Sequence, residues 1–152
     1  NKSHVNATIC NQLALYLTMY SPLQMAADLP EHYMKYADAF QFIKDVAVDW
    51  RKSKYLFAEP GDYLIVARQA KDSGQWFVGG VTDELSRSFD VPMSFLDAGE
   101  NYEVTLYADS EDADYKTNPQ SYVISKVSVT SESVVPVRMA PGGGFAMAIR
   151  KM

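Results

Sequence analysis

The sequence predicts a mainly β protein, an antiparallel β-sandwich of about eight strands preceded by a helical segment. Three observations carry that expectation. Apolar residues recur at helical spacing through the first fifty positions and change to a period of two from Val48 onward. Alternating runs then occupy 54–58, 63–69, 75–82, 87–91, 102–107, 122–130, 134–139 and 145–150. Turn chemistry separates them at Pro60-Gly61, Asp72-Ser-Gly74, Asp97-Ala-Gly99, Asn118-Pro119 and Gly142-Gly-Gly144. Short half-apolar strands joined by tight turns bury one face each, and stacking two such sheets is the way to do it.

Taken in order, the first element is a helix. Val5, Ile9, Leu13, Leu17 and Tyr20 lie on one stripe, widened by Ala14 and Tyr16, and Pro22 stops it. Ser21-Pro-Leu-Gln24 fits either a capping box with proline at the first helical position or the start of a short buried strand over 23–27. A second helix is expected over 38–46, with Asp38 as its N-cap and Phe40, Phe42, Ile43 and Val46 apolar. In the β region, the runs around Asp72-Ser-Gly74 form the clearest hairpin. The apolar helical faces need partners. They must fold onto the sandwich or pair in a homodimer through the helical segment, and the dimer is the preferred expectation.

Composition narrows the function classes. A net charge of −5 argues against a nucleic-acid partner, and the three basic residues in Arg51–Lys54 do not outweigh the acids. No apolar run reaches membrane-spanning length. The single cysteine, Cys10, excludes an internal disulfide and sits in an apolar helical pattern, where a buried inert thiol is expected. The chain opens with Asn1 and runs straight into a helix, which suits a piece of a larger protein.

The residues that might carry chemistry are few. Asp109, Glu111, Asp112 and Asp114 crowd the connection between two strands, followed by Lys116 and Asn118-Pro119. Paired carboxylates could serve glycoside hydrolysis, and their spacing hints at calcium. The stretch lacks the central glycine and distal glutamate of an EF-hand, so a solvated acidic loop, ordered without metal, is the preferred reading. His4 and His32 have no second ligand at metal spacing and read as surface residues. Trp50, Trp76, Phe77, Tyr107, Tyr115 and Tyr122 could stack on sugar rings but suit a sandwich core better. Gly142-Gly-Gly144 lies between strands, with no helix to receive a phosphate, and reads as a flexible β-turn. No Gly-x-Ser-x-Gly elbow is present.

Asp112-Ala-Asp-Tyr-Lys-Thr-Asn-Pro119, after a strand ending in Tyr107-Ala-Asp, resembles a segment near the C-terminus of glycoside hydrolase family 97. The resemblance extends over nearly the whole chain, through Gln12-Leu-Ala-Leu-Tyr16, Ser21-Pro-Leu-Gln-Met-Ala-Ala-Asp-Leu-Pro30, Phe40-Gln-Phe-Ile-Lys-Asp45 and Val48-Asp-Trp50. It continues through Glu59-Pro-Gly-Asp-Tyr63, Trp76-Phe-Val-Gly79, Phe95-Leu-Asp97 and Gly142-Gly-Gly144. Tyr115 departs from the tryptophan common there, and the family's enzymes are several times longer.

The resemblance implies the C-terminal part of an α-glucosidase or α-galactosidase acting on oligosaccharides, exported to the periplasm by a signal far upstream. It implies that residues 1–50 end a catalytic (β/α)₈ barrel and that 51–152 form an accessory β-sandwich. The partner would be the remainder of the barrel, and the role of this chain structural, with oligomer contacts. The family's catalytic glutamates and calcium belong to segments before Asn1, so no catalytic or metal-binding residue is assigned here and no cofactor is expected. Asp28 is the one exception considered: with 23–27 as the last barrel strand it would stand at the substrate-site edge. The competing role, a residue that caps the Leu29-Pro30 turn, is preferred. The rival functional classes are a freestanding carbohydrate-binding module that uses surface aromatics and a plain oligomerisation module.

Overall fold

A computed structural model describes residues 7–18, 50–71, 73–118 and 120–152. Among these residues one helix, α1 (Ile9–Thr18), precedes eight strands: β1 (Trp50–Glu59), β2 (Tyr63–Ala70), β3 (Trp76–Thr82), β4 (Arg87–Pro92), β5 (Tyr102–Asp109), β6 (Tyr122–Val129), β7 (Val134–Met139) and β8 (Gly144–Lys151). All pairings are antiparallel. The strands divide unequally. Six form one sheet in the order β1-β2-β3-β8-β5-β6, and β4 and β7 pair as a two-stranded sheet.

The eight expected runs match the eight strands in order, with β1 longer than expected. It begins at Trp50 and takes the basic run 51–54 into an exposed edge strand. The expected hairpin is β2–β3, pairing Tyr63 with Thr82 through Gln69 with Trp76. Gly74 closes it at φ 74°, a left-handed conformation open to glycine at no steric cost.

Period-two alternation gives the large sheet two different faces. Ile65, Trp76, Val78, Phe145, Met147 and Ile149 point one way and pack against Val91, Val135, Val137 and Met139 of the small sheet. Val66, Phe77, Tyr107, Ala146 and Ala148 point the other way, and Ile9, Cys10, Leu13 and Leu17 of α1 lie on them. The order is therefore helix, large sheet, small sheet. β3 and β8 are buried on both faces, which is why they read as nearly unbroken apolar runs.

This arrangement supplies the partner that the apolar stripe of α1 requires. Leu13 and Leu17 are 0% exposed against the chain's own sheet. The homodimer expectation is corrected for Ile9, Leu13 and Leu17, because that face is already spent. Phe40 and Ile43, the expected second helix and the 23–27 strand lie outside the described residues. Close approach is what lets the helix dock. A Cβ on Gly79 would come within 3.0 Å of Leu17 Cβ and 3.1 Å of the Ala14 carbonyl, so α1 sits directly on the bare backbone of β3.

Candidate functional site

The site grows from where β5 ends. Alternation puts Asp109 on the α1 side of the sheet, two residues beyond Tyr107. It is 7% exposed. Its Oδ2 accepts hydrogen bonds from the Ala140 and Gly144 N–H groups, both at 2.9 Å, and so clamps the turn between β7 and β8. Its Oδ1 is sealed from solvent with no partner at hydrogen-bond geometry. Burial raises its pKa. The neighbouring Thr8 hydroxyl, the two N–H groups and the charge of Arg138 oppose that shift without reversing it.

Around this carboxylate the 140–144 turn acts as a junction. Thr8 N–H donates to the Gly142 carbonyl at 3.1 Å, and Asn11 Nδ2 donates to the Gly143 carbonyl at 2.9 Å. Thr8 is also the N-cap of α1, its Oγ1 accepting from Asn11 N–H at 3.1 Å. Gly142 N–H donates to the Asp83 carbonyl and Tyr115 N–H to the Pro141 carbonyl. A Cβ on Gly143 would collide with Asp109 Oδ2. The expectation of a flexible β-turn is corrected: the turn is there, but its backbone is spoken for on every side. At the far end of the helix, Arg68 Nε donates to the Leu17 carbonyl at 2.5 Å, placing a cation at the negative end of the helix dipole.

The remaining acids of the 109–114 stretch are taken up separately. Asp112 Oδ1 accepts from Ser110 at 2.6 Å and Ser121 at 3.2 Å, which lowers its pKa. Asp114 Oδ1 accepts from Lys116 N–H at 2.7 Å and Thr117 N–H at 3.3 Å, forming a local turn closed by the Asp114–Asn118 bridge. Glu111 is exposed. The carboxylates thus serve three different sets of donors rather than one centre. Among the described residues no three His, Cys, Asp or Glu side chains group as metal ligands. The loop does not fit calcium. Lys116 sets its Nζ 5.6 Å from the centroid of the Tyr115 ring.

A cleft of about 270 Å³ opens beside the junction, lined by Asn11, Thr82, Asp83, Glu84, Tyr115 and Gly142. Asp83 is engaged there with Leu85 N–H at 3.0 Å and with Arg87 at 3.2 Å, and both interactions lower its pKa. Among the described lining residues that leaves Glu84 without an acid or base counterpart across the cleft, whereas glycoside hydrolysis needs two carboxylates facing one bond.

The six aromatic residues singled out in the sequence are at least half-buried in the structure. Trp76, Phe77 and Tyr107 are buried at 5%, 1% and 4% exposure, and Trp50, Tyr115 and Tyr122 are half-buried. The preferred core role thus holds for Trp76, Phe77 and Tyr107, which cannot serve as surface stacking groups. Cys10 is 0% exposed, and burial first, then the charge of Asp109, pushes its thiol well up. Asp28, His4 and His32 lie outside the described residues. Sequence reasoning missed Thr8, Asn11 and the inward role of Asp109. The available signals were a threonine three residues before an asparagine at a helix start, and an acid in phase with Tyr107.

Comparison with known proteins gives this geometry a family. The chain is 37% identical over 148 residues to a retaining alpha-galactosidase of Bacteroides thetaiotaomicron, covering 94% of this chain and 21% of that protein. A glycoside hydrolase family 97 enzyme from Pseudoalteromonas sp. strain K8, solved in complex with acarbose, superposes with a TM-score of 0.92 at 40% identity. A variant of that enzyme in complex with panose superposes equally well. The match covers 97% of this chain and 23% of that one, so the chain spans under a quarter of the length of either relative. A beta-arabinopyranosidase shares the fold at a TM-score of 0.56 and 21% identity. The family model for the C-terminal, oligomerisation region of glycosyl hydrolase 97 matches residues 49–150, and the chain belongs to that family.

Proposed function

We propose that this chain is the non-catalytic C-terminal part of an α-glycosidase, with a structural and oligomer-forming role. One observation carries the reading: among the described residues, Asp109, Asp112 and Asp114, the acids whose crowding suggested a catalytic pair, are each committed to separate structural hydrogen bonds. The whole enzyme would hydrolyse α-galactosidic or α-glucosidic bonds. The Bacteroides relative supports the first and the acarbose- and panose-bound neighbours the second. Residues 1–50 would end its (β/α)₈ barrel, which the start of the family match at residue 49 supports. Calcium would be held by the rest of the enzyme, and the location would be the periplasm.

The isolated chain, assayed against aryl α-glucosides and α-galactosides with calcium present, should give no turnover. Turnover above a buffer control from protein free of other enzymes would overturn the reading. If 23–27 is the last barrel strand of the whole enzyme, Asp28 would stand at the substrate-site edge. Asp28→Asn should then lower kcat/KM and leave Tm unchanged, and unaltered kinetics would return Asp28 to a turn role.

A further inference from the structure

The two edges of the large sheet are guarded differently. β1 presents Arg51, Lys52 and Lys54, all exposed, and like charges along an edge discourage another strand from pairing there. β6, at the other end of the sheet order, carries only Lys126. β7 packs over β5 and β8. Val123 and Val127 of β6, which point to that side, are left 52% and 42% exposed. Val129, on the same side two residues further along, is buried in the core.

We infer that β6 is the strand through which two copies of this chain pair, antiparallel, about a two-fold axis at Ser125. The inference rests on the oligomer-forming role proposed above and names the surface that performs it. Register selects the axis. With the axis at Ser125, Val123 of each copy opposes Val127 of the other, so both exposed valines gain an apolar partner on one face. Ile124 then opposes Lys126. An axis at Lys126 sets two ammonium groups opposite each other. An axis at Ile124 sets the valines against serines. Charge agrees at the strand ends: the axis at Ser125 brings the exposed Glu132 turn of one copy toward the exposed Lys116 loop of the other. The occupant is therefore a second copy, joining two six-stranded sheets edge to edge.

Sedimentation and light scattering on the full chain test this, with two kinds of variant. Val123→Lys with Val127→Lys should weaken the dimer about tenfold or more by opposing like charges, with an unchanged melting curve at concentrations low enough that both proteins are monomeric, because both positions are exposed in the single chain. Ser125→Cys lies on the axis, where paired Cα atoms are about 4.5–5.5 Å apart, within disulfide reach. Mild oxidation should therefore link it into a covalent dimer. Ser128→Cys, about 20 Å from its own copy in this register, should not link. Tyr55→Lys on β1 should leave the dimer intact. An oligomer that ignores the valine substitutions and gives no Ser125→Cys product overturns the β6 pairing while sparing the oligomer role. A wild-type chain that is monomeric at all concentrations overturns both.

Discussion

The two faces of the large sheet are covered by different means. On the β4–β7 side, bulky side chains fill the layer: Phe145, Met147 and Ile149 stand opposite Val137 and Met139, and Trp76 meets Phe95 with ring centroids 4.8 Å apart. On the α1 side the sheet offers Gly79, Ala146 and Ala148 and lets a helix backbone come down onto it. One face is held by volume. The other is held by close approach, and its ends are fixed by hydrogen bonds at Thr8, Asn11, Asp109 and Arg68. A six-stranded sheet needs both of its faces covered at the centre, and a two-stranded sheet can cover only one of them. The lesson is that α1 is part of this fold's core even though the family match begins at residue 49.

The largest effect is expected where volume does the holding. Phe145 is 0% exposed, and Phe145→Ala should cost about 3–5 kcal/mol, lost transfer energy and residual cavity together. Urea unfolding should show a lower midpoint with the slope unchanged. A loss below about 1 kcal/mol would mean that the layer collapses around the gap and is not held by volume.

Close approach predicts the opposite sensitivity, to added atoms. Gly79→Ala puts a methyl group 3.0 Å from Leu17 Cβ and 3.1 Å from a backbone carbonyl that cannot swing aside. The expected loss is about 1–3 kcal/mol, smaller than for Phe145→Ala because α1 can lift by a few tenths of an ångström. Amide exchange should quicken in α1 and stay slow in β4 and β7. Uniform quickening through both faces would show that the faces are one cooperative unit, and the comparison would lose its force.

The same contrast decides what was legible in the sequence. All eight strands were readable, because alternation and turn residues are local signals that this fold obeys. The split into six and two was not, since Arg87–Pro92 and Val134–Met139 alternate like their neighbours and only long-range pairing sends them to the other sheet. The apolar stripe Ile9-Leu13-Leu17 was legible as a helix wanting a partner, with the sandwich and a second copy both in view, but the choice between them was not, because Gly79 and Ala146 look like weak strand residues until a helix lies on them. The 109–114 acids read as one cluster. Their division followed from strand phase, which turns Asp109 inward, and from serines at 110 and 121 that meet only after the chain folds back.

The smallest effect is the one that tests the polar end of the α1 face. Asp109 has a pKa raised above its ordinary value, so the folded state holds the proton more tightly than the unfolded chain does. Its contribution to stability is therefore fully present below the ordinary carboxylate range and is lost as pH rises through the raised folded value. Asp83 and Asp112, both lowered, act with the opposite sign: their contributions are present above the ordinary range and lost on acidification. The wild-type profile mixes the two. Asp109→Asn keeps an oxygen for the Ala140 and Gly144 N–H groups and removes only the titration. Subtracting the variant's stability from the wild type's, by urea unfolding between about pH 3 and 8, should leave a difference that falls as pH rises. A difference that rises with pH would mean that the N–H groups and Thr8 outweigh burial, so that the junction is built for the charge rather than in spite of it.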